Sequence, residues 1–305
     1  MSASIVVVGS LNMDLVMRMD RAPAGGQTLP GHDFATSPGG KGANQAVACA
    51  RMGASVAMVG RVGADANGSE LKAGLAADGI DVLHVEAVEG ANTGVAMIWV
   101  EDDGQNRIVL VAGANGLMNE AGIERATALI DSAAMLIVQL EIPMPAVDAV
   151  VARAHRAGVA VLMNPAPVAI LCESLWRRID LLVLNESEAA ALCDTAVTDV
   201  ASAAQAGAIL RDRGPDRVLV TLGAQGVVIV DAAGSRHAPA QPVQAVDTTA
   251  AGDTFIGALA AFLCEGRTLD EAVVLGQAAS ALCVTRPGAQ PSIPYRRELA
   301  LQAAP

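Results

Sequence analysis

The strongest constraint on the fold is the alternation of short β-branched runs with Ala- and Leu-rich segments along most of the chain. This alternation predicts βαβ units, in which buried parallel strands are covered by helices on both faces. We therefore expect a three-layer α/β/α core with a mainly parallel central sheet. The predicted strands are Ile5 to Val8, Val56 to Val62, Met135 to Leu140, Val159 to Met163, Leu181 to Leu184, Val218 to Thr221 and Val227 to Val230.

Two segments, at about 12–35 and 92–112, interrupt the alternation because extended runs there meet turns without a helix. In the second segment the runs Val95 to Val100 and Arg107 to Val111 flank a polar turn, which predicts a hairpin. We expect the two segments to form a small antiparallel sheet. It is either a lid over the strand ends or a structural edge hairpin. With no flexible linker in the sequence, residues 1–305 are predicted to form a single domain.

Charge and cysteine content narrow the class of function. The formal net charge of -12 opposes binding to nucleic acid and to anionic membranes. It does not exclude a nucleotide such as ATP, because that anion needs only local hydrogen-bond donors and Mg²⁺. The five cysteines form no C-x-x-C pair, so we expect reduced core thiols and neither disulfides nor zinc. The sequence shows no secretory signal and no apolar run long enough to span a bilayer, which predicts a cytoplasmic protein.

The most informative motif is the run Asp247 to Phe255, which leads into a predicted helix. Ala250, Ala251 and Gly252 allow backbone N–H groups to converge at the helix N-terminus, where the helix dipole adds positive charge. This predicts an anion hole for a phosphoryl group, with Asp253 placed to accept a proton from an attacking hydroxyl. The same segment also fits a plain helix N-cap.

A glycine-rich turn, Gly39 to Asn44, opens a second predicted helix. Its glycines permit close backbone approach, and the side chains of Lys41 and Asn44 can hydrogen-bond sugar hydroxyls. The turn is neither a P-loop nor a dinucleotide fingerprint, because Gly42 follows Lys41 and a third glycine is missing. The turn alone is weak support for a ligand site.

Polar residues also follow other predicted strands. Asn12 and Asp14 point to the same side of an extended segment, where they could grip adjacent hydroxyls or form a surface turn. Asn185 and Glu188 have the spacing of a site for hydrated Mg²⁺, although the motif by itself favours a helix cap. Glu141 could bind sugar, shape the metal region or be solvated.

The segment Thr221 to Gly226 joins two predicted strands. Its glycines would let the backbone approach ATP, and a simple tight hairpin fits the same residues.

Together these motifs, in this order, resemble the ribokinase (PfkB-type) carbohydrate kinase family over nearly the whole chain. The resemblance rests on Gly9 to Asp14, Gly39 to Ala46, Asn164 to Pro167, Asn185 to Glu188, Asp247 to Phe255 and Arg286 to Ser292. Two positions depart from what the family often has, since Ile256 replaces Asn and Gln27 replaces Glu.

The resemblance implies three groups of ligand contacts and a homodimer formed through the lid. The implied sugar site consists of Asn12, Asp14, Gly40, Lys41, Asn44, Glu141 and Asp253, closed by Ala96 and Ile98 of the lid. The implied nucleotide contacts are Asn185, Thr221, Leu222, Gly223, Ala224, Gln225, Gly226, Gly252 and Gln277, the last where the family often has His or Asn. The implied site for a monovalent cation, usually K⁺, consists of Asp247, Thr249, Cys283, Arg286, Gly288 and Ser292.

The mechanism that the resemblance implies is an attack of ribose O5 on the γ-phosphorus of ATP. Asp253 is the general base, and the backbone of Ala250 to Asp253 is the anion hole. ATP, Mg²⁺ and K⁺ are the expected cofactors. The alternatives are a kinase for 2-deoxyribose, another sugar or a nucleoside, and a non-catalytic sugar sensor on the same fold.

Overall fold

The structure, a computed structural model, describes residues 4–103 and 105–302; Gly104 of the predicted polar turn lies outside the described residues. Thirteen strands are found in this part of the chain. In chain order they are β1 (Ser4–Val8), β2 (Asn12–Met19), β3 (Asp33–Gly39), β4 (Ser55–Gly63), β5 (Asp81–Val88), β6 (Gly94–Glu101), β7 (Asn106–Val111), β8 (Met135–Val138), β9 (Ala160–Met163), β10 (Leu181–Asn185), β11 (Arg217–Thr221), β12 (Val227–Asp231) and β13 (Gly234–Ala238).

Eleven α-helices accompany these strands in the described residues. They are α1 (Lys41–Arg51), α2 (Ala66–Ala77), α3 (Glu120–Arg125), α4 (Thr127–Asp131), α5 (Met144–Ala157), α6 (Glu173–Trp176), α7 (Glu186–Cys193), α8 (Val200–Arg211), α9 (Ala251–Cys264), α10 (Leu269–Cys283) and α11 (Arg296–Gln302). Three short 3-10 helices lie at Gly113–Leu117, Gly223–Gln225 and Gln290–Ser292.

The large sheet has nine strands in the order β13-β12-β11-β10-β9-β8-β1-β4-β5. The pairs from β5 to β11 are parallel, and β12 and β13 add an antiparallel edge. The strand order reverses at β1, since β4 lies on one side of it and the later strand β8 on the other. In sheets of this kind, ligands bind outside the carboxyl ends of the strands near such a reversal.

Helices cover both faces of this sheet, as the β-branched runs predict. Alternate residues of β1 enter different cores, Ile5 and Val7 on one face and Val6 and Val8 on the other. Helices α1, α9 and α10 pack on the first face, and α5 and α8 on the second. The predicted three-layer α/β/α architecture is confirmed.

The interrupting segments form a separate four-stranded sheet in the order β3-β2-β6-β7. Its outer pairs are antiparallel, but β2 and β6 run parallel, so the small sheet is mixed. All seven predicted core strands are present, whereas β5 and β13 were not predicted.

Two other expectations concern the cysteines and the membrane. All five cysteines are free, but only Cys49 and Cys283 are buried and Cys172 is exposed, so the expectation of five core thiols is wrong. Within the described residues, none of the helices combines the length and the apolar character needed to cross a bilayer.

Candidate active site

A cleft of about 200 Å³ opens at the carboxyl ends of the central strands. It is bounded by the ends of β10 and β11, the start of α1 and the start of α9. Its lining includes predicted sugar, phosphate, nucleotide and magnesium residues, namely Lys41, Asn185, Glu188, Thr221, Ala250, Ala251, Gly252 and Asp253. The fold therefore brings residues from distant parts of the sequence to one cleft.

The start of α9 points backbone donors at this cleft. Ala250 has a left-handed backbone with φ of 59°, and no side chain caps the helix. The Ala251 N–H donates to Thr248 O at 3.2 Å, whereas the N–H groups of Gly252 and Asp253 have no partner within the described chain. A Cβ atom placed on Gly252 would meet no atom within 4 Å, so the space beside these donors is open. Free donors and the positive end of a helix together suit an anion.

The Asp253 carboxylate lies in the first turn of α9 and is 8% exposed. Its Oδ2 accepts a hydrogen bond from Asn44 Nδ2 at 3.0 Å, and its Oδ1 accepts one from Gln45 Nε2 at 2.9 Å. Both donors belong to α1, so the packing of α1 against α9 sets the orientation of the carboxylate. Asn44, predicted to bind sugar, thus also holds the predicted base.

Asn12 and Asp14 lie at the start of β2 and are both buried. Asn12 Oδ1 accepts a hydrogen bond from Asn115 Nδ2 at 2.8 Å, which fixes its side chain. Burial, and to a smaller extent the nearby carboxylates of Glu141 and Asp253, raises the pKa of Asp14 from 3.8 to about 7. Asp14 therefore lies within range of the charges of Glu141 and Asp253.

Glu141 connects the loops that follow β1 and β8. Its Oε2 accepts hydrogen bonds from Ser10 Oγ at 2.5 Å and from the Lys41 backbone N–H at 3.1 Å. Glu141 is thus engaged at the strand ends and is not simply solvated.

The turn before α1 depends on Gly40, whose φ is 89° and whose added Cβ would lie 2.8 Å from the Asn12 nitrogen.

Lys41 is the only cationic side chain among the described residues that line the cleft. Burial acts to lower the pKa of Lys41, but the carboxylates of Asp253, Glu141 and Glu188 outweigh it, so the pKa is raised. The ammonium group therefore stays charged and offsets part of the negative charge of the site.

Asn185 and Glu188 form a reciprocal capping box at the start of α7. Glu188 N donates to Asn185 Oδ1 at 2.8 Å, and Asn185 N donates to Glu188 Oε2 at 2.9 Å. Burial, only partly offset by the Asn185 N–H, raises the pKa of Glu188. The helix-capping interpretation is thus realised, while both residues still line the cleft.

Of the predicted nucleotide segment Thr221 to Gly226, only Thr221 is among the described residues that line the cleft. Thr221 ends β11, and a short 3-10 helix, Gly223–Gln225, joins it to β12, with Leu222 N donating to Gly226 O at 2.8 Å. Gln277 on α10 donates through Nε2 to Ala238 O at 2.9 Å. A Cβ on Gly226 would collide with the same Ala238 oxygen, which puts Gln277 beside the predicted segment.

The residues of the predicted cation site converge behind the start of α9. Asp247 Oδ2 accepts from Gly288 N at 2.8 Å, and Cys283 Sγ lies 3.0 Å from Ser292 Oγ and 3.7 Å from Thr249 O. Burial acts to raise the pKa of Asp247, but hydrogen bonds from Thr249 and Gly288 outweigh it and hold the pKa below its ordinary value.

Arg286 is placed differently from the rest of this set. Its guanidinium donates to Glu298 at 2.6 Å and its N–H to Cys283 O at 3.0 Å. Only its backbone carbonyl could therefore serve a cation.

One face of the small sheet carries a residue of the predicted sugar site. Ala96 pairs with Asp14 across β2 and β6, and Ile98 pairs with Val16 two residues farther along. Paired residues lie on one side of a sheet, so Ala96 and Ile98 share the face of Asp14. This is the face expected for a lid.

Sequence reasoning missed several buried polar residues around the carboxylates. Ser10, Gln45 and Asn164 were recognised only as parts of motifs, and Asn115 and Gln139 received no role. Their signal in the sequence was slight: Gln139 and Asn164 each stand directly after a buried strand, where an uncharged polar residue is unexpected.

Comparison with known protein families defines the class of protein to which this chain belongs. A model of the pfkB family carbohydrate kinases matches residues 2–296. The chain belongs to this family of α/β kinases.

Several individual members of the family are similar to this chain over nearly its whole length. A ribokinase from Haemophilus influenzae is 42% identical over 98% of this chain and 97% of its own. A ribokinase from Schizosaccharomyces pombe is 45% identical over 97% of this chain and 96% of its own. The structure of an Arabidopsis thaliana ribokinase complexed with ribose and ATP has a TM-score of 0.91 at 33% identity and covers 99% of this chain and 98% of that one.

Proposed function

We propose that this chain is a ribokinase, which transfers the γ-phosphoryl group of ATP to O5 of D-ribose and produces ribose 5-phosphate and ADP. The observation that carries the proposal is the position of the buried Asp253 carboxylate beside free N–H groups at the tip of α9, in an open cleft. One site can thus accept a hydroxyl proton and receive a phosphoryl group. Similarity to curated ribokinases at 42% and 45% identity supports the choice of substrate.

In the proposed reaction the O5 hydroxyl attacks the γ-phosphorus in line. Asp253 accepts the hydroxyl proton, and the N–H groups at the start of α9 stabilise the negative charge that develops on the transferring group. Asn12, Asp14, Gly40, Lys41, Asn44 and Glu141 are proposed to hold the sugar hydroxyls, with Ala96 and Ile98 above them. The nucleotide is proposed to lie along Asn185, Thr221 to Gly226, Gly252 and Gln277.

Two cations complete the proposal. The oxygen-rich pair Asn185 and Glu188 suits Mg²⁺, which prefers carboxylate and water ligands and supplies charge neutralisation to the phosphates when bound. The Asp247, Thr249, Cys283, Arg286, Gly288 and Ser292 region is proposed to hold K⁺, mainly through backbone carbonyls. The hydrogen bonds that draw these segments together support a fit to one ion.

A second candidate substrate within the same chemistry is 2-deoxyribose. A deoxyribokinase from Salmonella typhimurium is 33% identical over 95% of this chain, an identity lower than that of the two ribokinases described above.

Since ATP is an intracellular metabolite, we propose that the reaction takes place in the cytoplasm.

The direct test measures ADP release by the purified protein with ATP and a panel of sugars and nucleosides. We expect ribose to give the highest kcat/KM, and Asp253→Asn to reduce kcat by about 10²- to 10⁴-fold without loss of folding. Near-normal turnover by Asp253→Asn would remove this residue from the mechanism. Absence of ADP release with every sugar and nucleoside of the panel would favour a non-catalytic sensor.

A further inference from the structure

Three buried carboxamide side chains form a hydrogen-bonded network that leads to the Asp253 carboxylate. Gln139 and Gln45 are 0% exposed and Asn164 is 5% exposed. Gln45 Nε2 donates to Asp253 Oδ1 at 2.9 Å and lies 3.3 Å from Asn164 Oδ1, while Gln139 Nε2 donates to Gln45 Oε1 at 2.5 Å. The three residues come from α1, the end of β8 and the end of β9.

The orientation of the Gln45 amide is fixed by its contacts with Asn164 and Asp253. Asn164 Nδ2 donates to the Val183 carbonyl of β10 at 3.0 Å, so Asn164 presents its oxygen to Gln45. A carbonyl and a carboxylate oxygen can only accept. Gln45 must therefore turn its NH₂ group towards both Asn164 and Asp253, and its oxygen towards Gln139. Reversing the Gln45 amide would place oxygen against oxygen at both contacts.

A purely structural role explains this network poorly. Buried amides lose their hydration, and a methionine of similar shape would fill the same space without polar atoms. The network is not even fully satisfied, because Gln139 Oε1 has no hydrogen-bond partner in the described structure. An unpaired buried oxygen costs stability, so the arrangement points to a role at the carboxylate.

We propose that Gln45 is a positioning residue for Asp253, held in its orientation by Gln139 and Asn164. This inference rests on the proposed function, because it acts through Asp253 as the general base. With Oδ1 held by Gln45 and Oδ2 by Asn44, the carboxylate plane is fixed and its remaining lone pairs are available to the attacking hydroxyl. Proton transfer needs the base within hydrogen-bond reach of the alcohol, and a small displacement slows the reaction severely.

The first test compares steady-state kinetics of Gln45→Met and Gln139→Met. Gln45→Met removes the donor without changing shape, so kcat should fall about 10- to 100-fold while KM for ribose and for ATP stays within about twofold. Gln139→Met acts one residue farther from Asp253 and should have a smaller effect of the same kind. The matched control is Val47→Ala, another fully buried residue of α1, which should lower the unfolding temperature but not kcat.

The second test is a double-mutant cycle with Asp253→Ala. If Gln45 acts only through Asp253, Gln45→Met causes no further loss of kcat in the Asp253→Ala background. An equal fold loss in both backgrounds, or a normal kcat for the single variant, would overturn the proposal. If Gln45→Met does not fold, the same cycle is run with Gln139→Met.

The two tests separate this inference from the proposed function. If Asp253→Ala alone keeps near-normal activity, the proposed function fails whatever Gln45 does. If Asp253→Ala is inactive and Gln45→Met is normal, only the positioning role fails.

Discussion

At the scale of single residues, the site concentrates negative charge around one ammonium group. Besides burial, the charges of Glu141 and Asp253 raise the pKa of Asp14. The charges of Asp253, Glu141 and Glu188 raise the pKa of Lys41 against the effect of its burial. The charge of Asp253 also adds to the effect of burial on the pKa of Glu188. An acidic site of this kind suits an acceptor that is a neutral sugar, because hydroxyl groups donate hydrogen bonds to carboxylates. The phosphate donor is instead met by backbone N–H groups at the helix tip.

The raised pKa of Asp14 has a consequence for stability. Because the pKa is about 7 in the folded chain and 3.8 without its environment, the folded state binds the extra proton between these values. This contribution to stability is complete below about pH 4 and is lost as pH rises through about 7. The variant Asp14→Asn cannot ionise at this position, so this loss of stability with rising pH is absent from it.

We therefore expect Asp14→Asn to gain stability relative to wild type as pH rises. The difference in the free energy of unfolding should grow by on the order of 2 kcal/mol from pH 5 to pH 8. Urea unfolding of both proteins across this range measures it. A difference that stays constant with pH would contradict the burial of an ionisable Asp14.

The residues nearest the chemistry could be read from the sequence, because their motifs combine small residues with a charged or polar one. Asp253, Asn44 and Lys41 stand in such motifs; the structure brings Asp253 and Lys41 to one cleft and Asn44 into contact with Asp253. The contacts of Gln139 and Asn164 with Gln45 could not be predicted, because Gln45 is more than 90 residues away from each of them in the sequence. Their contacts exist only once the strands are assembled.

At the scale of elements, the site depends on how closely α1 approaches α9. Gly257 of α9 faces α1, and an added Cβ would lie 2.6 Å from Gln45 O and 2.9 Å from Cys49 N. These are backbone atoms that cannot move aside without shifting the helix. The close approach places Asn44 and Gln45 against Asp253.

Gly257→Ala should therefore push the two helices apart. We expect a loss of about 1–3 kcal/mol in the free energy of unfolding and a lower kcat, because the donors to Asp253 are displaced. The control is Gly74→Ala in α2, where a Cβ meets nothing within 4 Å. That variant should be neutral or more stable by about 0.5–1 kcal/mol, with unchanged kcat. Equal behaviour of the two variants would argue against this packing.

The loops behind α9 lead to a prediction about monovalent cations. A fixed cation beside the helix start would order the N–H donors without touching the substrate. We expect initial rates several-fold higher in K⁺ than in tetramethylammonium at equal ionic strength. Equal rates in the two salts would reject the cation site.

Element prediction succeeded where buried strands are continuous apolar runs. It failed for β5, in which exposed and buried residues mix, and for β13, a mainly exposed edge strand without an apolar run. The parallel pairing of β2 with β6 was also beyond sequence reasoning, because it joins segments about 80 residues apart that local turn patterns do not relate.

At the scale of the whole molecule, the small sheet exposes more apolar surface than a free edge should. Phe34, Met97, Ile108, Val109, Leu110 and Val111 are all exposed. An exposed apolar edge strand usually has a partner or risks aggregation. We propose that a second copy of this chain covers it.

Wild type should therefore sediment as a dimer at micromolar concentration in analytical ultracentrifugation. Ile108→Asp places a charge on the face of the small sheet that carries Ile98 and should yield monomers. Leu83→Asp, at an exposed site on β5 of the large sheet, is the control and should remain dimeric. A monomeric wild type would contradict the proposal.

The chemical identity of the product tests the role of Asp253 and of the O5 hydroxyl together. Wild-type protein, ATP, Mg²⁺ and ribose should give a phosphate monoester whose ³¹P NMR signal couples to both hydrogens on C5. Asp253→Asn at equal concentration should form almost none in the same time. A phosphate coupled to the single hydrogen on C1, or equal product from Asp253→Asn, would contradict the claim that Asp253 activates O5.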